Sequence, residues 1–405
     1  MPDFPTVAGR IIKNQLTRYS MKASNNLVCA IYNHPEAYPP TLNAIERLSG
    51  VYDNIYVLYR PNLNNLWQYP SNVKLISSGK QVISVKEQAS QPVLKKVYQF
   101  LYFTFILLKL SVKYKPKTIL LYDGIPLLSY FIVSKICKKP QIAWYHNHDV
   151  MGKDQRKYSV GWFATHFESS ALAKLDIFSL PADERKVYFD LSHFRGKYFY
   201  IPNYPSLAFY NKFHKNVAKD EVLKLIYQGS ISKGHGIEEI ISFVAIYSGK
   251  ICVTLIGNVS DQYKEELIAL KKQLDVDEKV KILPPVNYTL LPTITINHDI
   301  GLAIHTPHNL IYATGGTASN KIYEYAAVGL PVLYFENEHY NQILSKYKWT
   351  FATDLSMNSI QNQIDYIRLN LNKLSISALS DFNKGLNFES VFSQVINYLN
   401  SIRSI

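Results

Sequence analysis

Short runs of uninterrupted apolar residues recur along the chain, separated by stretches in which apolar positions return every three or four residues. LVCAIYNH (27–34), IYVLYR (55–60), VKLISS (73–78), TILLYDG (118–124), QIAWYHNH (141–148) and IFSLPAD (177–183) have the length and composition of buried strands, and helix-like stretches separate most of them. Strands that are apolar throughout, rather than alternating, belong to parallel sheets covered on both faces by helices. YFYIPNYPS (198–206) then reads as the end of that unit and a linker. A second set follows: LKLIYQG, a helix from Ile237, ICVTLIGN, a helix from Asp261, KVKILPP, DIGLAIH, a helix near Asn320 and PVLYFEN. Amphipathic segments at 360–371 and 389–402 close the chain. A chain of 405 residues exceeds what one core usually serves. The pattern predicts two doubly wound α/β domains, 1–205 and 206–385, with a C-terminal helix in 386–405 packing back on the first.

Charge separates the two halves. Residues 1–205 carry 26 Lys and Arg against 13 Asp and Glu, and residues 206–405 carry 18 against 18, so the whole net charge of +13 lies in the first half. A basic half beside a neutral one points to an anionic partner such as a membrane surface or a lipid pyrophosphate; diffuse solubilising charge is the alternative. The basic residues form neither a compact cluster nor a known nucleic-acid motif, which argues against nucleic acid. The most hydrophobic stretch, 98–112, has Lys95, Lys96 and Lys113 at its ends and Lys109 within it. Its 15 residues are short of the roughly 20 that span a bilayer, so a buried or half-buried helix is expected, with any membrane role interfacial. Cys29, Cys137 and Cys252 are too far apart to signal a disulfide framework or a zinc site, and the N-terminal segment lacks the apolar core of a secretory signal. Both point to the cytoplasm, with attachment to the inner face of the membrane as the peripheral option.

Candidate chemistry concentrates in two places in the second half. In LIYQGSISKGHGIEEII (225–241) a strand runs into Gly229, Gly234 and Gly236 and then into a helix. Such a turn lets backbone N–H groups approach a phosphate, with Ser230, Lys233 and His235 beside it; tight packing is the plainer reason for the glycines. In TGGTASNKIYEYAAVGLPVLYFE (314–336), Gly316 lies in a Gly-Gly turn and Asn320 opens a helix whose Lys321 and Glu324 share one face of its first turn. A cation beside free helix N–H groups suits a diphosphate, and a carboxylate one turn on accepts from ribose hydroxyls; a surface ion pair is the alternative.

These two segments resemble the donor-site motifs of retaining GT-B glycosyltransferases of family 4, written Y-x-G…K-G and N-K-x-x-E-Y-x-A-x-G-x-P-V. The resemblance implies two Rossmann-like domains facing across a cleft, a nucleoside-diphosphate sugar as co-substrate with UDP or GDP the expected carrier, and no metal cofactor. It implies that Lys321 binds the diphosphate, that Glu324 holds the ribose and that the turn from Gly229 to Gly236 lies across the phosphates. Two departures stand out. Many members carry an earlier glutamate separated from the one matched by Glu324 by seven residues, where this chain has Gly316, and a loop arginine where this chain has His235.

In the first half, AWYHNHDV (143–150) places His146, His148 and Asp149 at the end of a strand, where ligands bind in open α/β sheets. The stretch resembles the Y-D-x-H-E segment of related transferases, which makes His148 and Asp149 the catalytic candidates and implies that His148 faces the sugar or acceptor hydroxyl. A metal reading of the same residues is disfavoured, because adjacent strand residues point to opposite faces. Asn33 and His34, with Glu36, are candidates for the acceptor pocket, and Asp123 with Gly124 and Glu168 for its lining. Asn287 and Tyr288, in the loop after KVKILPP, are candidates for gripping the base. The expected activity is transfer of a sugar to a lipid-linked or polysaccharide-precursor acceptor. A sugar-nucleotide epimerase and a non-catalytic partner subunit of the same fold are the alternatives.

Overall fold

The computed structural model describes residues 24–62, 66–79, 85–152, 155–213, 221–307 and 313–403. The N-terminal segment read for a secretory signal lies largely outside them.

Two all-parallel sheets carry the chain. The first has seven strands: β1 (Asn26–Ile31), β2 (Asn54–Tyr59), β3 (Val73–Ser77), β4 (Thr118–Tyr122), β5 (Ile142–His146), β6 (Ile177–Leu180) and β7 (Lys197–Tyr200), in the order 3-2-1-4-5-6-7. The second has six: β8 (Leu223–Gln228), β9 (Ile251–Ile256), β10 (Val280–Leu283), β11 (Ile300–Ala303), β12 (Val332–Phe335) and β13 (Thr350–Thr353), in the order 10-9-8-11-12-13. Strand order reverses between β1 and β4 in the first sheet and between β8 and β11 in the second. Such switch points open a crevice at the strand C-termini, because the flanking connections leave to opposite faces.

The expected strands are present, and β7 and β13 are additional. The segment read as a linker from 198 begins with β7, paired to β6 from Lys197↔Ile177 to Tyr200↔Leu180. Both additional strands lie at sheet edges, where burial is incomplete and an apolar signature is not required. The central strands β1, β4 and β5 are buried at every position, as continuous apolar runs demand.

Each sheet is packed on both faces. On one face of the first sheet, Leu27, Cys29, Val57, Leu120 and Trp144 pack with Ile45 and Leu48 of the helix Pro39–Ser49 and with Phe388, Phe392, Val395 and Leu399 of the last helix, Phe388–Arg403. The chain therefore crosses from the first unit to the second near residues 201–206 and returns after the 28-residue helix Met357–Lys384. Backbone and side chain both pin that return: Phe388 N–H donates to Pro205 O at 3.0 Å, and the Glu389 carboxylate accepts from Ser206 Oγ and Leu207 N, each at 2.7 Å.

The last helix is thus part of the first core. Phe392 is buried and its ring stacks 6.1 Å from Trp144. Phe392→Ala leaves a cavity and is expected to cost about 3 kcal/mol or more, read as a lower denaturation midpoint followed by tryptophan fluorescence. An unchanged midpoint would mean that the helix contributes nothing to the stability of the first sheet.

Candidate functional site

The two halves meet at a cleft of about 350 Å³, walled by Pro39, Asp149 and Arg185 from the first half and by Gln228, Gly229, Ser230, His235, Tyr288, Leu291, His305, Gly315, Ala318, Ser319, Asn320, Lys321, Glu324 and Tyr340 from the second. On the second wall, the helix Asn320–Ala327 buries Ile322, Tyr323, Tyr325 and Ala326 and turns its N-terminus to the cleft. Ser319 occupies the cap position but makes no side-chain capping bond, so the orphan N–H groups of the first turn keep their positive end of the helix dipole. Enclosed at the same mouth, Asn320 Oδ1 has no hydrogen-bond partner among the described residues.

Lys321 reaches along the cleft rather than into solvent. Its Nζ lies 2.8 Å from His305 Nε2 and 4.2 Å from the centre of the Tyr227 ring, and it sits over Gly229, where a Cβ would lie 3.2 Å from it. Desolvation pulls its pKa down to about 7, with the Glu324 carboxylate opposing that fall. Desolvation likewise pushes Glu324 up to about 7, opposed first by its bond from Gln228 Nε2 (2.6 Å) and then by Lys321. Gln228 is itself fixed by Thr295 Oγ1, which donates to its Oε1 at 3.1 Å. An ammonium and a carboxylate are therefore held on one helix face, each less charged than it would be in water.

The glycine turn is set by its neighbour. Gly229 has φ +122 and Gly257, at the end of β9, has φ +150; a Cβ on Gly257 would run into Gly229 O. Only glycine serves there, because both the conformation and the close approach exclude a side chain. Within the turn, His235 Nδ1 lies 2.8 Å from both Ser230 O and Tyr227 Oη, and the two imidazoles of His235 and His305 meet edge-to-face at 4.7 Å.

The first wall is built on Arg185, which sits in the turn Asp183–Tyr188 after β6 and is 1% exposed. Its Nη1 donates to His148 O (2.6 Å), its Nε to Thr314 Oγ1 (3.2 Å), and Nη1 stands 3.9 Å from Asp149 Oδ1. The guanidinium thus joins both halves and still lines the cleft. Thr317 Oγ1 donating to Pro181 O (2.9 Å), Asn203 N–H donating to Thr317 O (3.0 Å) and His339 Nε2 against Glu184 Oε1 (2.7 Å) tie the 314–319 loop and its neighbour to the same side.

His148 is enclosed. Its ring lies between Tyr38 (4.6 Å) and Tyr122 (5.0 Å), Nδ1 faces the Asp123 carboxylate at 3.3 Å, and Nε2 lies 3.1 Å from Thr41 Oγ1. Asp123 also accepts from the His148 backbone N–H (2.7 Å) and adopts φ +66, an uncommon region for a residue with a side chain. The residue that reaches the cleft from this strand end is Asp149. His146 has its Nδ1 2.9 Å from Ser179 Oγ and meets the His148 ring edge-to-face at 4.8 Å, and no three metal-competent side chains cluster among the described residues.

The cleft therefore brings together Asp149, Gly229, Ser230, His235, Tyr288, Asn320, Lys321 and Glu324 from the residues singled out in the sequence. Others stand apart. Lys233 pairs with Glu266 at 2.7 Å on the outer surface. Gly316 lies one residue behind the lining Gly315 and donates its N–H to His339 Nε2. Asn287 closes a turn by accepting from Thr289 N–H, while Tyr288 stacks on Phe209 at 5.4 Å. Asn33 and His34 do not line the cleft: Asn33 Oδ1 accepts from His34 N–H, and buried His34 takes Glu36 N–H on Nδ1 while its Nε2 has no partner among the described residues. Glu36 accepts from the backbone of Leu66 and Trp67, and Glu168 from Tyr145 Oη at 2.8 Å. Arg185, His305 and Gln228 were not singled out. Gln228 ends β8 and His305 follows β11 by two residues, beside the second switch point, a position that marks ligand-binding residues in such sheets.

No protein-family model and no curated protein sequence matches the chain. Solved structures do. Sucrose-phosphate synthase from Thermosynechococcus elongatus superposes with a TM-score of 0.71 at 12% identity, covering 94% of this chain and 99% of that one. HepE from Anabaena, in complex with UDP and glucose, gives 0.67 at 14%, covering 93% and 100%. UDP-GlcNAc 2-epimerase from Methanocaldococcus jannaschii gives 0.55 at 13%, covering 93% and 99%. The chain has the GT-B fold. In that fold the two Rossmann-like units lie on either side of the cleft described above, with Lys321 and Glu324 on one wall and Arg185 and Asp149 on the other.

The enclosure of Lys321 gives a direct titration test. In competitive amine labelling read by mass spectrometry, Lys321 is expected to gain reactivity through a midpoint near 7, against roughly 10.4 for solvated lysines. Glu324→Gln removes the carboxylate that props the ammonium up, so it moves the midpoint lower still. A midpoint among those of the other lysines would contradict the site.

Proposed function

We propose that the protein is a glycosyltransferase that takes its sugar from a nucleoside diphosphate held in this cleft. The observation that carries the reading is Lys321 and Glu324 side by side at an uncapped helix N-terminus. The ammonium and the free N–H groups match a diphosphate, and the carboxylate one turn on matches ribose hydroxyls. Arg185 faces them from the other wall, where a guanidinium keeps its charge despite burial and offers its remaining donors to phosphate oxygens. Arg185 thereby offers the cleft a guanidinium from the opposite wall, where this chain has His235 in the glycine turn. UDP is the carrier we favour over GDP, since HepE of the same fold was solved with UDP and glucose.

In the reaction the bond from the anomeric carbon to the diphosphate breaks and a bond from an acceptor hydroxyl oxygen forms. Lys321, Arg185 and the helix N-terminus meet the charge that develops on the leaving diphosphate, which is the work a divalent cation does in other transferases. Transfer is accordingly assigned as metal-independent, and as retaining on the motif resemblance. Asp149 is the carboxylate of the first wall that opens to the cleft, and we assign it the acceptor's proton. His148 is assigned a positioning role: it holds Arg185 through its carbonyl. The acceptor class favoured by the basic first half is a lipid-linked or polysaccharide precursor. Because an epimerase shares the fold, turnover of the sugar nucleotide without acceptor is the outcome that would select that second reading.

Calorimetry with UDP, GDP, CMP and ADP tests the donor site. One diphosphate is expected to bind, and Lys321→Ala, Glu324→Ala and Arg185→Ala should each weaken it by about 10- to 100-fold, the worth of one charge-assisted hydrogen bond. Lys321 is neutral above about 7 in the empty cleft and recharged by the anion, so at pH 8 binding should take up a proton. Affinity then falls as pH rises from about 7, and the uptake disappears in Lys321→Ala. Glu324 is already ionised at pH 8 and does not mask this. Absence of binding by all four nucleotides would favour a non-catalytic subunit.

A further inference from the structure

We propose that the outer face of the helix Val93–Tyr114 seats the protein on an anionic lipid surface. This helix is apolar on two sides. Phe100, Phe103, Leu107 and Leu110 point inward, where Phe103, Leu107 and Leu110 join the first core and Phe100 packs with Leu128 and Ala164. On the outside, Leu94 (84% exposed), Tyr98 (67%), Leu101 (56%), Phe105 (57%) and Val112 (59%) are left in solvent. Ile132 and Ile136 are also exposed, on the helix Gly124–Val133 and the turn after it, and Thr104 Oγ1 donating to Ser129 Oγ at 3.0 Å holds the two helices together. A lone exposed leucine carries no information, whereas a row of large apolar side chains along one helix marks an interaction surface.

Charge selects the occupant. The helix contains Lys95, Lys96, Lys109 and Lys113 and no acidic residue, and the half to which it belongs holds the whole positive excess of the chain. A second copy related by a twofold axis would bring these lysines against one another, whereas lysines flanking an apolar face match acyl chains beneath anionic headgroups. No helix among the described residues is long and apolar enough to cross a membrane, and the inward face of this one belongs to the core, so it lies in the interface.

The orientation follows from topology. The helix joins β3 to β4, which are parallel to the rest of the sheet, so it runs back against them and begins at the end where the strands stop and the cleft opens. Gln99 meets Arg60 just after β2, and Phe103 meets Tyr32 just after β1 at 5.0 Å. Leu94, Tyr98 and Leu101 therefore stand on the cleft side of the molecule. Docking itself does not depend on the chemistry of the cleft; delivery of a lipid-borne acceptor to it rests on the glycosyltransferase reading.

The test is flotation of the full chain with phosphatidylcholine vesicles, with and without phosphatidylglycerol, at low and high salt. Binding is expected to vesicles containing phosphatidylglycerol, weakened by salt, and reduced about tenfold or more by Leu101→Glu with Phe105→Glu at an unchanged melting temperature. Leu94→Ser with Tyr98→Ser is the milder pair should the first not fold. Phe105→Trp should shift its emission to the blue on the anionic vesicles. Any of three results would overturn the proposal: no binding at low salt, binding equal in the substituted proteins, or a dimer in sedimentation of the protein alone that the same substitutions abolish. Because nucleotide is absent throughout, failure here leaves the donor site standing, and failure of nucleotide binding leaves this surface standing.

Discussion

A lysine ammonium enclosed at the positive end of an uncapped helix is the interaction on which the rest of the cleft depends. Lys321 and the orphan N–H groups of the helix Asn320–Ala327 carry charge of one sign in one place, and burial makes each of them costlier than it would be in water. The nearest carboxylate, Glu324, is occupied by Gln228 and is itself pushed toward its neutral form. A bound diphosphate would recharge Lys321 at the point where donors are already oriented, so little reorganisation would accompany its binding.

The surroundings serve to keep that arrangement fixed. Gly257 and Gly229 approach too closely for any side chain, which sets the glycine turn against β9. Thr295 holds Gln228, which holds Glu324. Across the cleft, Arg185 is anchored by a carbonyl of the first half and a hydroxyl of the second, so the distance between the halves and the placement of this guanidinium are one variable. A ligand that engages Arg185 and Lys321 together would favour the closed arrangement and exclude water from the reacting bond.

Much of this was legible in the sequence, for identifiable reasons. Parallel strands buried on both faces must be apolar throughout, so β1, β4, β5, β8 and β9 announce themselves; the edge strands β7 and β13 are under no such constraint and read as linker or loop. Lys321 and Glu324 are read from local spacing because one helix presents both. Arg185 is not, since within DERK nothing distinguishes it from a solvated arginine, and its burial comes from Thr314, 129 residues away. The same limit applies to Lys233, which the turn composition places near phosphate but which Glu266 on a neighbouring helix draws outward. His148 is visible as a strand-end histidine, while its enclosure by Tyr38, Tyr122 and Thr41 depends on β4 and on the start of the helix Pro39–Ser49.

The measurement that tests the central claim most directly is a crystal structure of the protein soaked with UDP. The account predicts the diphosphate within hydrogen-bond reach of Lys321, Arg185 and the N–H groups at 319–321, with ribose hydroxyls on Glu324. A nucleotide bound elsewhere, or one lying in the cleft with its ribose away from Glu324 and its phosphates away from Lys321, would contradict it.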